Sequence, residues 1–151
     1  MNSNKYKIFY SNIDCMTSAK HKEIETTVEK DDPDILVFTE INAKNTSRQM
    51  VESEISLKGY CVYHNLEKRN RGICIYIRED LNSCESEIKA DFKESLWVEI
   101  RESVVQKTLI GCIYRSPNST EENNRDLNNF LSGLSNIKKH RSDIDGRLQL
   151  S

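Results

Sequence analysis

Three segments of this chain end in residues that can do chemistry. Lys7-Ile8-Phe9-Tyr10-Ser11 runs into Asn12, Asp34-Ile35-Leu36-Val37-Phe38-Thr39 runs into Glu40, and Leu109-Ile110-Gly111-Cys112-Ile113 runs into Tyr114-Arg115-Ser116-Pro117-Asn118. A carboxylate such as Glu40 suits a hard cation, because Mg2+ is usually held through one or two carboxylates with water filling the rest of its shell. The Asn12 amide can orient a water or a carboxylate, and the Tyr114 phenol can donate to a phosphate oxygen. Taken singly, each has a plainer reading: a solvated strand-end carboxylate, a turn asparagine, a core tyrosine with a wet hydroxyl. In open α/β sheets, however, ligands lie beyond the carboxyl ends of the strands, so the three endings are expected to converge on one site.

The elements that must position them follow from the apolar spacing. After the first strand, Ala19 to Lys30 reads as an amphipathic helix with Ile24 and Val28 on one face, stopped by Asp31-Asp32-Pro33. Ile35 to Phe38 is apolar on both faces, as a covered central strand is. Strand, helix, strand is a βαβ unit, and its two strands are expected to be parallel. Ser47 to Leu57 is read as a further helix, with Val51 and Ile55 one turn apart before Gly59.

From Tyr60 the rhythm changes to hairpins. Tyr60 to His64 and Ile73 to Ile77 flank Lys68-Arg69-Asn70-Arg71-Gly72, and Leu96 to Ile100 pairs with Thr108 to Tyr114 across a polar loop. The sheet is therefore expected to be mixed. Ser119 and Glu122 form a capping box for a last helix carrying Leu127, Phe130, Leu131, Leu134 and Ile137, with a basic end at Lys138-Lys139-His140-Arg141. Ser142 to Ser151 shows no strong strand pattern and reads as an irregular tail.

Bulk composition limits the alternatives. A chain of 151 residues suits one domain able to bury roughly two-thirds of its unfolded surface. Net charge of -2 and a pI near 6.0 give no global basic footprint, so nucleic-acid contact would rest on local clusters such as Lys68, Arg69, Arg71 and Arg115. Charged residues make up 30% and mean hydropathy is -0.68, which predicts a thin core. No apolar run approaches the ~20 residues that span a bilayer, and no signal segment opens the chain, so an intracellular protein without membrane contact is expected. Five cysteines without a CxxC pair read as reduced thiols rather than a zinc site.

The strings KIFYSNID, PDILVFTEI, RGICIYI, LWVEI and LIGCIYRSPNS, in this order and spacing, resemble the endonuclease/exonuclease/phosphatase superfamily, in particular the apurinic-like endonuclease domains of non-LTR retrotransposons. The resemblance covers about residues 5 to 137. It implies a four-layer α/β sandwich and metal-assisted phosphodiester hydrolysis on DNA. By position, Asn12 would be the amide at the catalytic floor, Glu40 the Mg2+ ligand and Tyr114 the phenol near the scissile phosphate. Arg115, Asn118 and Arg71 would contact phosphate, with Asn118 one residue further from Tyr114 than in the family's shorter Y-x-P-N form.

The departures weigh against activity. The family's later G-D-x-N, acting on the nucleophilic water and leaving group, and its terminal S-D-H do not occur in this sequence. Asp143 and Asp145 read as a solvated tail, and a complete phosphatase built on them is disfavoured. The expectation is a partial, truncated four-layer α/β sandwich over residues 1–141, with a mixed sheet flanked by helices and a non-family tail at 142–151. Its function is read as that of a retrotransposon-derived, DNA endonuclease-like domain, weakly active or inactive. The alternative is a non-catalytic nucleic-acid or protein interaction module. A half-sandwich would leave apolar faces at Ile73, Ile75 and Ile77 or Leu96, Val98 and Ile100 incompletely covered, which predicts self-association.

Overall fold

A computed structural model describes residues 5–44, 48–67, 71–87, 94–114, 141–144 and 147–150, the last two segments as backbone. It has an α/β fold with a mixed sheet. The chain divides into two compact units, Met1–Leu81 and Asn82–Ser151.

The first unit is built on the βαβ pattern. Strand β1 (Ile8–Asn12) and strand β2 (Ile35–Thr39) are parallel, in register from Ile8 opposite Ile35 to Asn12 opposite Thr39. The intervening helix α1 (Ser18–Asp31) begins where the Thr17 hydroxyl accepts from the Lys20 amide at 3.2 Å. It stops at Asp32, whose left-handed backbone (φ 46°) lets its amide donate back to Val28 O, with Pro33 next in the chain. Strands β3 (Tyr60–Asn65) and β4 (Ile73–Arg78) form the expected hairpin, and β4 runs antiparallel to β2, giving the order β1-β2-β4-β3.

One face of this sheet carries the main core. Leu36 and Phe38 lie opposite Tyr76 and Cys74; all four are fully buried, in one cluster with Ile24 of α1, Ile55 and Leu57. The Phe38 and Tyr76 rings meet edge to face at 5.8 Å, and the Tyr76 hydroxyl donates to Ile55 O at 2.6 Å. Burial pushes the Tyr76 phenol well above its ordinary value. At the amino end of β2, Arg78 donates to Asp32 O at 2.5 Å and pairs with Asp32 at 2.8 Å and Asp34 at 3.3 Å. The Tyr60 hydroxyl reaches Pro33 O at 2.5 Å in the same corner. This cluster fixes the turn from α1 into β2.

Two expectations about the first unit are corrected. The helix expected over Ser47 to Leu57 is a single turn, α2 (Glu52–Ile55), entered from an extended Val51 that is 54% exposed. Only Ile55 of the pair Val51 and Ile55 is buried, so the apolar spacing there did not describe a helical face. The expected lack of cover is also absent: Ile73, Ile75 and Ile77 are exposed by 2% or less, and Leu96, Val98 and Ile100 of the second unit by 5% or less. The self-association predicted from an open sheet face therefore loses its basis at those residues.

The second unit is an antiparallel sheet in the order β5-β6-β7-β9-β8. The hairpin of β6 (Ser95–Arg101) and β7 (Lys107–Ile113) is its centre, with Trp97 directly opposite Gly111. A short strand, β5 (Ser83–Glu85), pairs with β6 and was not expected from the sequence. The tail read as irregular forms β8 (Arg141–Ile144) and β9 (Arg147–Leu150), with β9 pairing on β7 at Gly111 and Cys112. The signal was present in two places. Leu148 and Leu150 alternate with Arg147 and Gln149, and the two residues between the strands are Asp145 and Gly146, a dipeptide that two-residue hairpins favour. The last predicted helix, Ser119 to Ile137, lies outside the described residues.

Candidate functional site at the carboxyl edge of the parallel pair

Because β1 and β2 are parallel and in register to their last residues, Asn12 and Glu40 leave the sheet at the same edge. The antiparallel β4 begins there as well, since Ile73 lies opposite Thr39, and this brings Arg71 and Gly72 to the same place. The loops are then stitched together by main-chain hydrogen bonds. Ile13 N donates to Thr39 O at 3.1 Å, Cys15 N to Glu40 O at 2.7 Å, Met16 N to Ile41 O at 2.9 Å and Glu40 N to Gly72 O at 3.0 Å. To make these bonds the backbone turns left-handed at Asp14 (φ 41°), Cys15 (φ 80°) and Glu40 (φ 59°), none of them glycine.

Arg71 organises the charges. One Nη donates to the Asp14 carboxylate at 2.5 Å, the other lies 3.8 Å from Glu40, and Nε donates to Asn42 O at 3.0 Å. Its side chain is 20% exposed and that of Glu40 15%, whereas Asp14 is 75% exposed. Asn12 accepts from the Asp14 amide through Oδ1 at 3.2 Å, an Asx turn that aims the loop. Asn42 is 4% exposed; its Oδ1 accepts from Met50 N at 3.1 Å, its Nδ2 reaches Leu66 O at 3.4 Å, and its amide donates to Arg71 O at 2.6 Å. Gly72 (φ 89°) sits where a Cβ would come within 3.0 Å of Leu66 and 3.3 Å of Ile41, so the close approach of Arg71 to this edge depends on it.

The sequence-predicted residues are thus distributed unequally. Asn12, Glu40 and Arg71 share one edge of the first unit. Tyr114 follows β7 in the second unit, 4% exposed, with its amide donating to Glu94 O at 2.8 Å. Arg115 and Asn118, with Lys68 and Arg69, lie outside the described residues. Sequence reading passed over Asp14, Asn42 and Gly72. Asp14 could have been found from the Asn-x-Asp spacing after a strand; Asn42, two residues past Glu40, carried no signal of its burial.

Glu40, Asp14 and the Asn12 amide supply hard oxygen donors, which fit a magnesium ion that keeps most of its waters. Among the described residues no group of three or more His, Cys, Asp or Glu side chains could form a closed metal cage. The hydrogen bond and charge of Arg71 hold the Asp14 carboxyl below its ordinary 3.8. The Val51 amide, with help from Arg48, does the same for Glu54, and Arg101 does so for Glu99. For a depressed carboxylate the contribution to stability is complete above the unfolded value and disappears as pH falls through the folded one. The denaturation midpoint is therefore expected to hold from neutral pH to about 4.5 and to fall below it, with a smaller fall in Arg71→Gln. The Asp14 carboxylate is 75% exposed, so its share is small, and identical acid profiles for the two proteins would show that the Asp14 pair contributes nothing.

No protein-family model and no curated protein matches the chain. Among the described residues no helix is long and apolar enough to cross a membrane.

Proposed function

We propose that the chain is a phosphodiester-recognising domain of the endonuclease/exonuclease/phosphatase type, derived from the apurinic-like endonuclease of a non-LTR retrotransposon, and that it binds a DNA backbone without cleaving it efficiently. The observation that carries this reading is the single edge at which Asn12, Asp14 and Glu40 gather around Arg71. Two carboxylates alone would repel a polyanion; the Arg71 guanidinium between them offsets part of that repulsion, and a bound Mg2+ would offset the rest. Asn12 orients the Asp14 loop and keeps its amide nitrogen at the edge. Glu40 and Asp14 would hold Mg2+, which when bound supplies charge neutralisation at phosphoryl oxygens.

Hydrolysis asks for more than this. A positioned acid or base typically contributes about 10²- to 10⁴-fold, and the G-D-x-N and S-D-H groups that do this work in the resembled family do not occur in this sequence. Purified chain with Mg2+ is expected to nick supercoiled plasmid no faster than its Glu40→Ala variant. It is also expected to retain duplex DNA at low salt and release it as salt rises, as phosphate contacts require. Robust nicking abolished by Glu40→Ala would mean an active nuclease. Absence of any DNA binding at low salt would overturn both the nuclease-type reading and the alternative of a nucleic-acid interaction module, leaving only a protein-binding role.

A further inference from the structure

The carboxyl edge continues into a groove whose wall on α1 and β1 the phosphodiester reading does not use. It lies between β1 and α1, encloses about 430 Å3, and shares Asn12 and Asp14 with the edge. That volume falls within the range of roughly 300 to 1,000 Å3 typical of small-molecule sites. Its apolar wall is aromatic: Phe9 and Ser11 occupy the same sheet face as Phe38, and Phe9 is 38% exposed with its ring 6.1 Å from that of Phe38. Such an exposed, supported ring is a stacking platform for a flat group.

The polar lining favours one kind of flat group. Lys20 extends from α1, and its ammonium donates to Ile13 O at 2.5 Å and Asp14 O at 2.9 Å, which commits its charge to the loop. The Thr27 hydroxyl donates to Glu23 O at 2.9 Å, leaving its lone pairs to face a ligand. Asp14 is paired with Arg71, so the acceptors the groove offers a ligand are the exposed Glu23 carboxylate and the Thr27 hydroxyl. A neutral ring bearing N–H donors would be held.

We infer that this groove takes a nucleobase carrying an exocyclic amino group, adenine or cytosine before thymine, from the strand whose phosphate lies at the Asn12–Asp14 edge. The inference rests on the phosphodiester reading above and deepens it. Carboxylates reading exocyclic amino hydrogens, with the base stacked on an aromatic side chain, is a recognised mode of base contact.

The test is fluorescence anisotropy of the full chain with labelled single-stranded oligonucleotides of equal phosphate count, oligo(dA), oligo(dC), oligo(dT) and an abasic strand. Oligo(dA) and oligo(dC) are expected to bind about tenfold more tightly than the abasic strand, in line with stacking of one base. Oligo(dT) is expected to fall between. Phe9→Leu, which keeps apolar bulk but removes the ring face, should bring the base-bearing strands close to the abasic one without changing abasic binding. Glu23→Ala, an exposed helix position left with no side-chain acceptor, should erase the preference of dA and dC over dT. Arg71→Gln should weaken all four strands alike. Equal binding of base-bearing and abasic strands would overturn the groove assignment while leaving backbone recognition standing, and so would an unchanged preference in Phe9→Leu and Glu23→Ala. Failure of every strand to bind would overturn both.

Discussion

Phe38→Ala is expected to lower the unfolding free energy by about 4 kcal/mol, the usual scale for truncating a fully buried aromatic residue. Phe38 is 0% exposed in β2, and its ring touches Tyr76 edge to face on one side and supports Phe9 on the other. Truncation leaves a cavity under α1 that backbone pinned on both sides by β1 and β4 cannot close. Since small domains are stable by only about 5 to 15 kcal/mol, the variant should be partly unfolded at moderate temperature. Phe38→Leu restores most of the volume and is expected to recover more than half of the loss. Chemical denaturation followed by circular dichroism measures both. A loss below about 1 kcal/mol for the alanine variant would show that this core relaxes around the gap, against the close packing described for it.

Gly111→Ala tests the second unit with a far smaller change. A Cβ built on Gly111 would lie 2.0 Å from Cζ3 and 2.2 Å from Cε3 of Trp97, directly across the β6–β7 ladder. Trp97 is 4% exposed and its ring lies over the glycine. One methyl group therefore has to displace an indole from a packed site, at a cost of about 3 kcal/mol. Hydrogen exchange should show protection falling first along β6 and β7, while β2 and β4 amides respond less. A fully stable Gly111→Ala protein would mean that the indole swings away at little cost. In a Trp97→Leu background the added methyl should then cost as little as in the native chain, whereas a real collision predicts a cost of about 3 kcal/mol beside Trp97 that largely vanishes once the indole is removed.

What the sequence disclosed about this fold was set by periodicity. β1, β2, both hairpins and α1 were legible because their patterns run through unbroken segments: five buried residues in Ile35–Thr39, the continuous apolar run Ile73 to Ile77 in β4, and Pro33 ending the helix. The helix over Ser47 to Leu57 failed because two apolar residues one turn apart do not define a face; tertiary contacts use Ile55 and leave Val51 in water. β8 and β9 were missed because four-residue strands carry little pattern of their own and gain their structure from pairing on β7. Of the candidate site, Asn12 and Glu40 were legible as strand endings. The role of Arg71 as a clamp between Asp14 and Glu40, and the burial of Asn42, depend on contacts up to 57 residues apart in sequence.

The left-handed residues at the carboxyl edge bear on how this protein can be altered. Backbone of that kind costs a non-glycine residue on the order of 1 kcal/mol or more, and Asp14, Cys15 and Glu40 stand within one hydrogen-bonded patch. Glycine at Glu40 or Cys15 would relieve that cost in the folded chain, although it would also loosen the unfolded one. A search for thermostable variants scored on melting temperature alone would thus be drawn toward the positions that hold the Glu40 carboxylate and the loop beside it. Such a screen would select against the arrangement that distinguishes this edge from an ordinary strand end. Engineering of this chain should keep Asp14, Cys15 and Glu40 fixed and seek its gains elsewhere, on exposed positions such as Val104 and Val105 in the β6–β7 turn.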